Sequence, residues 1–239
     1  VAQRAFWLWA NSAGGIGDYS VAIRESFDAG FNPQKHLEGY TQLKENVAAL
    51  SMSLGTVQTL FILDEMDKDN MVAVPMSWYS GWSYKDVDRG LVIEFGSQYL
   101  SLKGLFDSGL IYAMGLGVAP YEADTPGHAV MRATMSQIVD SANSFLVAGW
   151  SSQYHLKGVL EAAVKGGDLT RAGIRRAAAN VTVESDGMFP SRTLGQDRAD
   201  AQAYIGIPDG SIGSGQRVLA SQYVGPTAKA YDWTSGSCY

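Results

Sequence analysis

The chain has 239 residues, of which 46% are hydrophobic and 18% are charged. This balance excludes a disordered or low-complexity protein, because a chain of this length and composition buries a substantial core. The formal net charge of -6 disfavours nucleic acid as a partner, and the single cysteine, Cys238, excludes an intrachain disulfide and a cysteine metal cluster. No apolar run approaches the roughly 20 residues of a membrane span.

The first thirty residues predict a helix, a turn and a strand. Ala5, Leu8 and Trp9 recur at helical spacing within residues 2–12, and a Gly-rich turn follows. Residues 19–25 then alternate apolar and polar side chains, a pattern typical of a half-buried strand.

The next segment predicts alternating helices and strands. Residues 33–50 read as an amphipathic helix with proline near its start, and residues 51–56 as a short strand or loop. Residues 57–66 read as a second helix, and residues 71–75 as a short buried strand. This alternation favours a parallel sheet with helices on both faces.

The second half repeats this pattern and then turns to β structure. We predict a strand at residues 108–114 and three helices, at residues 127–139, at residues 150–165 and from Leu169 onward. Two β segments then flank a Gly/Ser-rich stretch, which predicts a hairpin. These segments are residues 202–207 and 217–223.

Four stretches, read in order, carry a resemblance to a known family. They are residues 11–17 (NSAGGIG), residues 31–36 (FNPQKH) with 54–56 and 74–78, residues 123–129 (ADTPGHA), and residues 147–192 with 169–173 inside them. Together they resemble the type I periplasmic solute-binding proteins that serve branched-chain amino acid (Leu/Ile/Val) ABC transporters.

The resemblance implies an α/β fold of two Rossmann-like lobes with parallel sheets and a hinge. Residues 1–104 would form the N-terminal lobe, and residues 105–239 the remainder of the C-terminal lobe with the closing hinge strands. Members of the family begin with a strand before the first helix, whereas this chain begins within that helix. Near residues 103–108 it also passes directly to a late strand of the second lobe. We therefore expect the first strand and the central part of the second lobe to be absent.

The best binding candidates are the residues that follow the two N-terminal strands. Ligands of open α/β sheets bind outside the carboxyl ends of the strands, where helix N-termini can hold a carboxylate. Here these positions are Gly55 and Thr56 after one strand, and Met76 and Ser77 at the end of the next. The alternative interpretation is a turn, a helix cap and a strand end without function.

Aromatic residues supply the other candidates. Trp78 lies in a Gly/Ser-rich loop with Tyr79, Trp82 and Tyr84, and in the family the matching loop carries small residues and a hydroxyl, so Trp78 disfavours a simple aliphatic amino acid. Trp150 and Tyr154 share one helix face, and the resemblance implies an aromatic there that closes on the ligand from the second lobe. Core packing is the alternative for both groups. The ligand-binding residues predicted in full are Gly55, Thr56, Met76, Ser77, Trp78, Tyr99, Trp150 and Tyr154.

Catalysis and metal binding have weak support in the sequence. His36, His128 and His155 form none of the spacings used by metalloenzymes. Asp124 lies one helical turn before His128, but a hydrolase would also need a nucleophile such as Ser53, and no G-x-S-x-G motif is present. Residues 124–128 are better explained as a helix cap followed by proline.

We therefore predict a receptor that is not an enzyme and uses no cofactor or metal. The resemblance implies that its ligand is a branched-chain or aromatic amino acid, an amide or another small carboxylate. The implied partner is the permease of an ABC transporter, and the implied location is the periplasm or a cell-surface anchor, with any signal peptide removed or outside these residues. A ligand-sensing regulatory domain of the same fold, or less favourably an α/β hydrolase, are the alternatives.

Overall fold

The computed structural model describes residues 1–24, 26–77, 113–116, 118–139, 144–194, 203–209, 211 and 216–230. In these ranges the helices are α1 (Ala2–Ser12), α2 (Pro33–Leu43), α3 (Thr56–Asp69), α4 (Pro126–Met135), α5 (Ser144–Lys165), α6 (Arg171–Ala178) and α7 (Pro226–Ala230), with a 3-10 turn at Lys44–Asn46. The strands are β1 (Leu50–Leu54), β2 (Ala73–Met76), β3 (Ala113–Leu116), β4 (Thr182–Val183), β5 (Arg192–Thr193), β6 (Ala203–Pro208) and β7 (Gln216–Tyr223).

Helix α1 confirms the first prediction, but only part of the predicted face is buried, because Ala5 lies in the core and Leu8 does not. Phe6 and Trp7 are fully buried, whereas Leu8 is 63% exposed. α1 packs along α5, so the bulkiest rings of the helix face inward. Spacing alone identified the helix but not the side that packs.

The predicted strand at residues 19–25 is wrong among its described residues, which form only an isolated bridge between Ile16 and Tyr19. Asn11 supplies a physical reason. Its side-chain amide donates to the carbonyl of Val21 at 2.9 Å and accepts from the backbone N–H of Val21 at 2.8 Å. Because one side chain takes both backbone groups of Val21, no ladder forms there.

Helix α2 ends earlier than residue 50, where the sequence placed its end. After the 3-10 turn, Val47 adopts extended backbone angles, and Leu50 already belongs to β1. The guanidinium of Arg171 donates to the carbonyls of Lys44 and Val47. A distant arginine therefore satisfies the carbonyls at this helix end, which no local pattern could predict.

Strands β1 and β2 confirm the expected parallel pairing. Leu50 lies opposite Ala73, Ser53 opposite Pro75 and Leu54 opposite Met76. The chain crosses from β1 to β2 through α3, the β-α-β connection that a parallel pair requires. Both strands therefore end at the same edge.

On the edge of β1 that faces away from β2, side chains bind a backbone carbonyl. Gln3 and Gln153 both donate to the carbonyl of Ser51, at 3.0 and 3.2 Å. The indole of Trp7 donates to Gln153 at 2.9 Å and fixes its orientation. An exposed strand edge is a liability for aggregation, and these amides satisfy the edge carbonyl of Ser51.

The other described sheets are antiparallel, and they add to the parallel pair of β1 and β2. β6 pairs with both β3 and β7 in one three-stranded sheet, and β4 pairs with β5. β6 and β7 form the predicted hairpin, and strands joined by a short connection must run antiparallel.

The lobe boundaries at 1–104 and 105–239 stay predictions, as does the absence of the first strand and of part of the second lobe. Residues 103–108, where the second break was placed, lie outside the described residues. In the described part of the chain, no helix combines the length and apolar character needed to cross a bilayer.

Candidate functional site

The carboxyl ends of β1 and β2 bring four of the predicted site residues together. The backbone N–H of Gly55 donates to the carbonyl of Met76 at 3.3 Å, and Thr56 begins α3 directly after it. Ser77 follows Met76 at the end of β2. Gly55, Thr56, Met76 and Ser77 therefore form one edge, as the sequence predicted.

Helix α3 begins at this edge without a side-chain cap. Three other helices carry one: Asn32 caps α2, Thr125 caps α4 and Thr170 caps α6. At α3 the capping position is Gly55, which has no side chain and adopts φ +99°. The first amides of a helix lack intrahelical partners and carry partial positive charge, so this N-terminus can accept an anion.

Gln58 fixes the loop that faces this N-terminus. Its side-chain amide donates to the carbonyl of Phe31 at 2.5 Å, and it is 7% exposed. A Cβ on Gly55 would lie 2.1 Å from Oε1 of Gln58, and the φ of +99° is strained for any residue with a side chain, so glycine suits this position. Sequence reasoning missed Gln58, although glutamine three residues after a helix cap is a recognised signal at helix starts.

A hydrogen-bonded chain of polar side chains lies behind the edge. Nε2 of His36 is 3.0 Å from Oγ of Ser53, which is 2.8 Å from Oγ1 of Thr59. Thr59 in turn donates to the carbonyl of Gly55 at 2.8 Å. Ser53 is 1% exposed, so it cannot reach a substrate as a nucleophile. Burial lowers the pKa of His36, which favours a neutral ring, and the chain supports the turn at Gly55.

A cleft of about 550 Å³ opens beside this edge. It is lined by residues 21–24 and 26–31 and by residues of α2 and β1. Ile62 of α3 and Leu156 and Leu160 of α5 line it as well. Leu54, Gln58 and Phe31 also border it, and we call these three residues the cleft mouth. The cleft therefore begins next to the α3 N-terminus, and sequence reasoning had given no sign of it.

Trp150 and Tyr154 lie in the main core. They are 0% and 3% exposed, and both rings contact Phe6 and Trp9 of α1 at centroid distances between 4.9 and 6.2 Å. The hydroxyl of Tyr154 donates to Asp186 at 3.1 Å, and burial raises the pKa of this hydroxyl. Their predicted ligand contact stays a prediction, and in this structure their surroundings are protein.

Two further predicted residues, Trp78 and Tyr99, lie outside the described residues, together with the rest of the aromatic loop at residues 79–84. Nothing in the structure tests their contact with a ligand.

Residues 124–128 form the start of α4, where Thr125 is the helix cap. Nε2 of His128 donates to the carbonyl of Ala119 at 3.0 Å, so Nδ1 accepts from the hydroxyl of Thr125 at 2.8 Å in the neutral ring. Burial is the largest cause of the lowered pKa of His128. With both ring nitrogens occupied, His128 has no free position for a general base. Within the described ranges, no three His, Cys, Asp or Glu residues are grouped to hold a metal ion.

Comparison with known proteins found similar structures but no matching family model or curated sequence. No protein-family model and no curated protein matches the chain. A fatty acid ABC transporter substrate-binding protein from Thermomonospora curvata superposes with a TM-score of 0.71 at 17% identity, covering 96% of this chain and 88% of that one.

Two other solved structures give the same picture. An ABC transporter substrate-binding protein from Aeropyrum pernix has a TM-score of 0.67 at 11% identity, covering 95% of this chain and 91% of that one. A branched chain amino acid ABC transporter protein from Thermus thermophilus with bound valine has a TM-score of 0.63 at 10% identity, covering 95% and 92%. These likenesses show the fold, which is the predicted type I periplasmic-binding-protein fold.

Proposed function

We propose that the protein is the solute-binding receptor of an ABC importer and catalyses no reaction. The observation that carries the proposal is the uncapped N-terminus of α3 at the shared edge of β1 and β2. In α/β folds ligands bind at this edge, and helix amides bind anions without a charged side chain. The solved structures of the same fold are substrate-binding proteins of ABC transporters, which supports the same role here.

The ligand of the proposal is a small metabolite with a carboxylate. Amides of Thr56, Val57 and Gln58 would receive the carboxylate, with the hydroxyls of Thr56 and Ser77 as neighbouring hydrogen-bond groups. Trp78 and Tyr99 are proposed to contact the rest of the ligand. The membership of the branched-chain amino acid group is also part of the proposal, supported by the likeness to the valine-bound protein.

This role implies a partner protein and a cellular location. A receptor of this kind would deliver its ligand to a membrane permease from the periplasm or the cell surface. A ligand-sensing domain of the same fold is the second candidate, because the same site would serve either role. Binding to the purified permease complex, measured with and without ligand, separates transport from sensing.

A thermal-shift screen of the protein against amino acids, amides and small carboxylates tests the proposal. A ligand that binds only the folded state raises the unfolding temperature. At a concentration of 100 times its Kd it adds about 2.7 kcal/mol to the free energy of unfolding. We expect a carboxylate to stabilise the protein and its methyl ester to have no effect. Stabilisation by esters alone, or turnover of an ester or amide, would contradict the receptor role.

A further inference from the structure

A line of hydrogen-bonded side chains leads from the ring of His36 to the turn at which α3 begins. Nε2 of His36 is 3.0 Å from Oγ of Ser53, which is 2.8 Å from Oγ1 of Thr59. Thr59 lies 2.8 Å from the carbonyl oxygen of Gly55 and donates to it. His36 belongs to α2, Ser53 to β1 and Thr59 to α3. Three elements therefore contribute to one chain of polar groups, which we call the His36 chain and which ends at the proposed carboxylate site.

The hydroxyls of the His36 chain are shielded from water on the face of β1 that α2 and α3 cover. Ser53 is 1% exposed and Thr59 is fully buried, while His36 is half-buried. Strand side chains point to the two faces of a sheet, so this chain does not depend on what lies along the edge of β1. Because the two hydroxyls are buried, they take their orientation from each other and from the ring.

The protonation state of His36 decides which way the hydrogen bonds of the chain run. Nε2 of a neutral ring either donates to Ser53 or accepts from it, according to the tautomer. Nε2 of a protonated ring can only donate, so Ser53 then donates to Thr59, and Thr59 donates to a backbone carbonyl. That carbonyl is the one of Gly55 at 2.8 Å, since the carbonyl of Ser53 is farther away at 3.3 Å. Protonation therefore points the positive end of each hydroxyl toward the start of α3.

The charge of a protonated His36 acts close to the start of α3. The three bonds of the chain span at most about 9 Å, which is close to the Debye length of roughly 8 Å at physiological ionic strength. β1 contributes no ionisable residue, and Tyr40, one turn further along α2, donates to Asp69. Before α2 and on α2 and α3, the described ionisable residues nearest to the chain in sequence are exposed: Arg24, Asp28, Lys35, Glu38 and Asp64. Exposed side chains are screened by water, so they offset this charge only weakly.

We propose that His36 is a positioning residue of the carboxylate site and that its protonation tightens the binding of a carboxylate at the N-terminus of α3. This inference rests on the proposed function. The positive charge and the aligned hydroxyls both favour an anion there, and the bound anion in turn favours the protonated ring. Burial lowers the pKa of the free His36 ring below 6.5, so the ring is mostly neutral at pH 7 and gains its proton as the pH falls. The receptor would therefore bind a carboxylate more tightly in mildly acidic surroundings than at neutral pH.

Titration calorimetry at about pH 7.5 and about pH 5.0 measures this effect, with leucine, phenylalanine, glutamine and lactate as probes. Each probe keeps its carboxylate ionised at both pH values, because such carboxyl groups titrate near or below about pH 4. We expect the tightest-binding probe to bind the wild type at least about three-fold more tightly at the lower pH, because of the nearby positive charge.

Two variants separate the charge of His36 from the general loss of negative charge at low pH. His36→Gln keeps a donor for Ser53 but carries no charge, so its ratio of affinities at the two pH values should be at least about two-fold smaller than that of the wild type. Lys35→Gln is the matched control, because it removes one charge from an exposed position on the same helix. Its ratio should equal that of the wild type.

A third variant tests whether His36 acts through the chain. Ser53→Ala interrupts the chain and leaves the ring of His36 in place. Its ratio of affinities should fall between those of the wild type and His36→Gln, and a ratio equal to that of the wild type would overturn the positioning role. If Ser53→Ala fails to fold, the comparison of His36→Gln with Lys35→Gln decides alone.

The outcomes separate this inference from the proposed function. If a probe binds the wild type with equal affinity at both pH values, or if His36→Gln retains the full ratio, this inference is wrong while the receptor role stands. If none of the probes binds the wild type at either pH, both are rejected.

Discussion

The core around α1, α4 and α5 differs from the edge where α3 begins in how far its apolar side chains are buried and in how its helix start is capped. In the core, the buried indole of Trp7 donates to Gln153, and both ring nitrogens of His128 have partners. At the edge, Val57 and Phe31 are 61% and 67% exposed, and the helix N-terminus has no cap. The satisfied cap of α4 indicates a structural role, whereas an open helix N-terminus at the carboxyl edge of a parallel strand pair is a place where a ligand can bind.

The contrast also separates two helix starts that look alike in sequence. Thr125 and Pro126 begin α4, and Gly55 and Thr56 begin α3. The first start is closed by its own hydroxyl and by His128, whereas the second is closed by nothing on its own helix. We therefore propose that the first start serves stability and that the second binds the ligand.

The largest expected effect is the loss of stability in Trp150→Ala. Removing a fully buried indole that contacts Phe6 and Trp9 should lower the free energy of unfolding by about 3–5 kcal/mol, measured by urea denaturation. Phe145→Ala on the same helix is the control, because Phe145 is 82% exposed. Equal effects of the two would contradict the assignment of Trp150 to the core.

A threonine pair compares the two helix starts at the level of stability. Thr125→Ala removes the cap of α4 and the partner of His128, so we expect a loss of about 1–2 kcal/mol in the free energy of unfolding. Thr56→Ala removes a hydroxyl that caps nothing, and it should change stability by less than about 0.5 kcal/mol. A comparable loss at Thr56 would show that α3 is capped in solution after all.

The smallest expected effect is on the pH dependence of stability. Burial holds the pKa of His128 and of His36 below the ordinary value of 6.5, so the unfolded chain binds more protons below about pH 6.5. The stability from the neutral rings is present above that pH and is lost as the pH falls, by at most about 1.4 kcal/mol per pH unit for each ring. Urea midpoints between pH 7 and pH 5 should fall less steeply in His128→Gln, and an unchanged slope would count against this account.

Much of the fold follows from local pattern. Helix α1, the β1–α3–β2 unit and the β6–β7 hairpin were predictable because their periodicity and turn residues are encoded within each segment. The strand at residues 19–25 was not, because its failure depends on the amide of Asn11. The end of α2 was not either, because Arg171 lies far along the chain.

Part of the candidate site was also predictable from the sequence, and part was not. The edge formed by Gly55, Thr56, Met76 and Ser77 follows from the general rule for ligands of parallel sheets. Helical spacing placed Trp150 and Tyr154 on one face but could not say whether that face lines a cleft or the core. The cleft is lined by residues that are far apart in the sequence, such as Val21, Leu54 and Leu156, so no short stretch of sequence could predict it.

The measurement that tests the central claim most directly is titration calorimetry of Val57→Asp and Val57→Asn with the carboxylate that the thermal-shift screen identifies. Val57 is the second residue of α3 and is exposed, so either substitution is tolerated, and the aspartate should even stabilise the helix by about 0.3–1 kcal/mol. We predict that Val57→Asp lowers the affinity for the carboxylate by at least about ten-fold, because the charge of the aspartate repels the ligand at the α3 N-terminus. The affinity of Val57→Asn should stay within about three-fold of the wild type. Equal affinity of the two variants would contradict a carboxylate at that N-terminus.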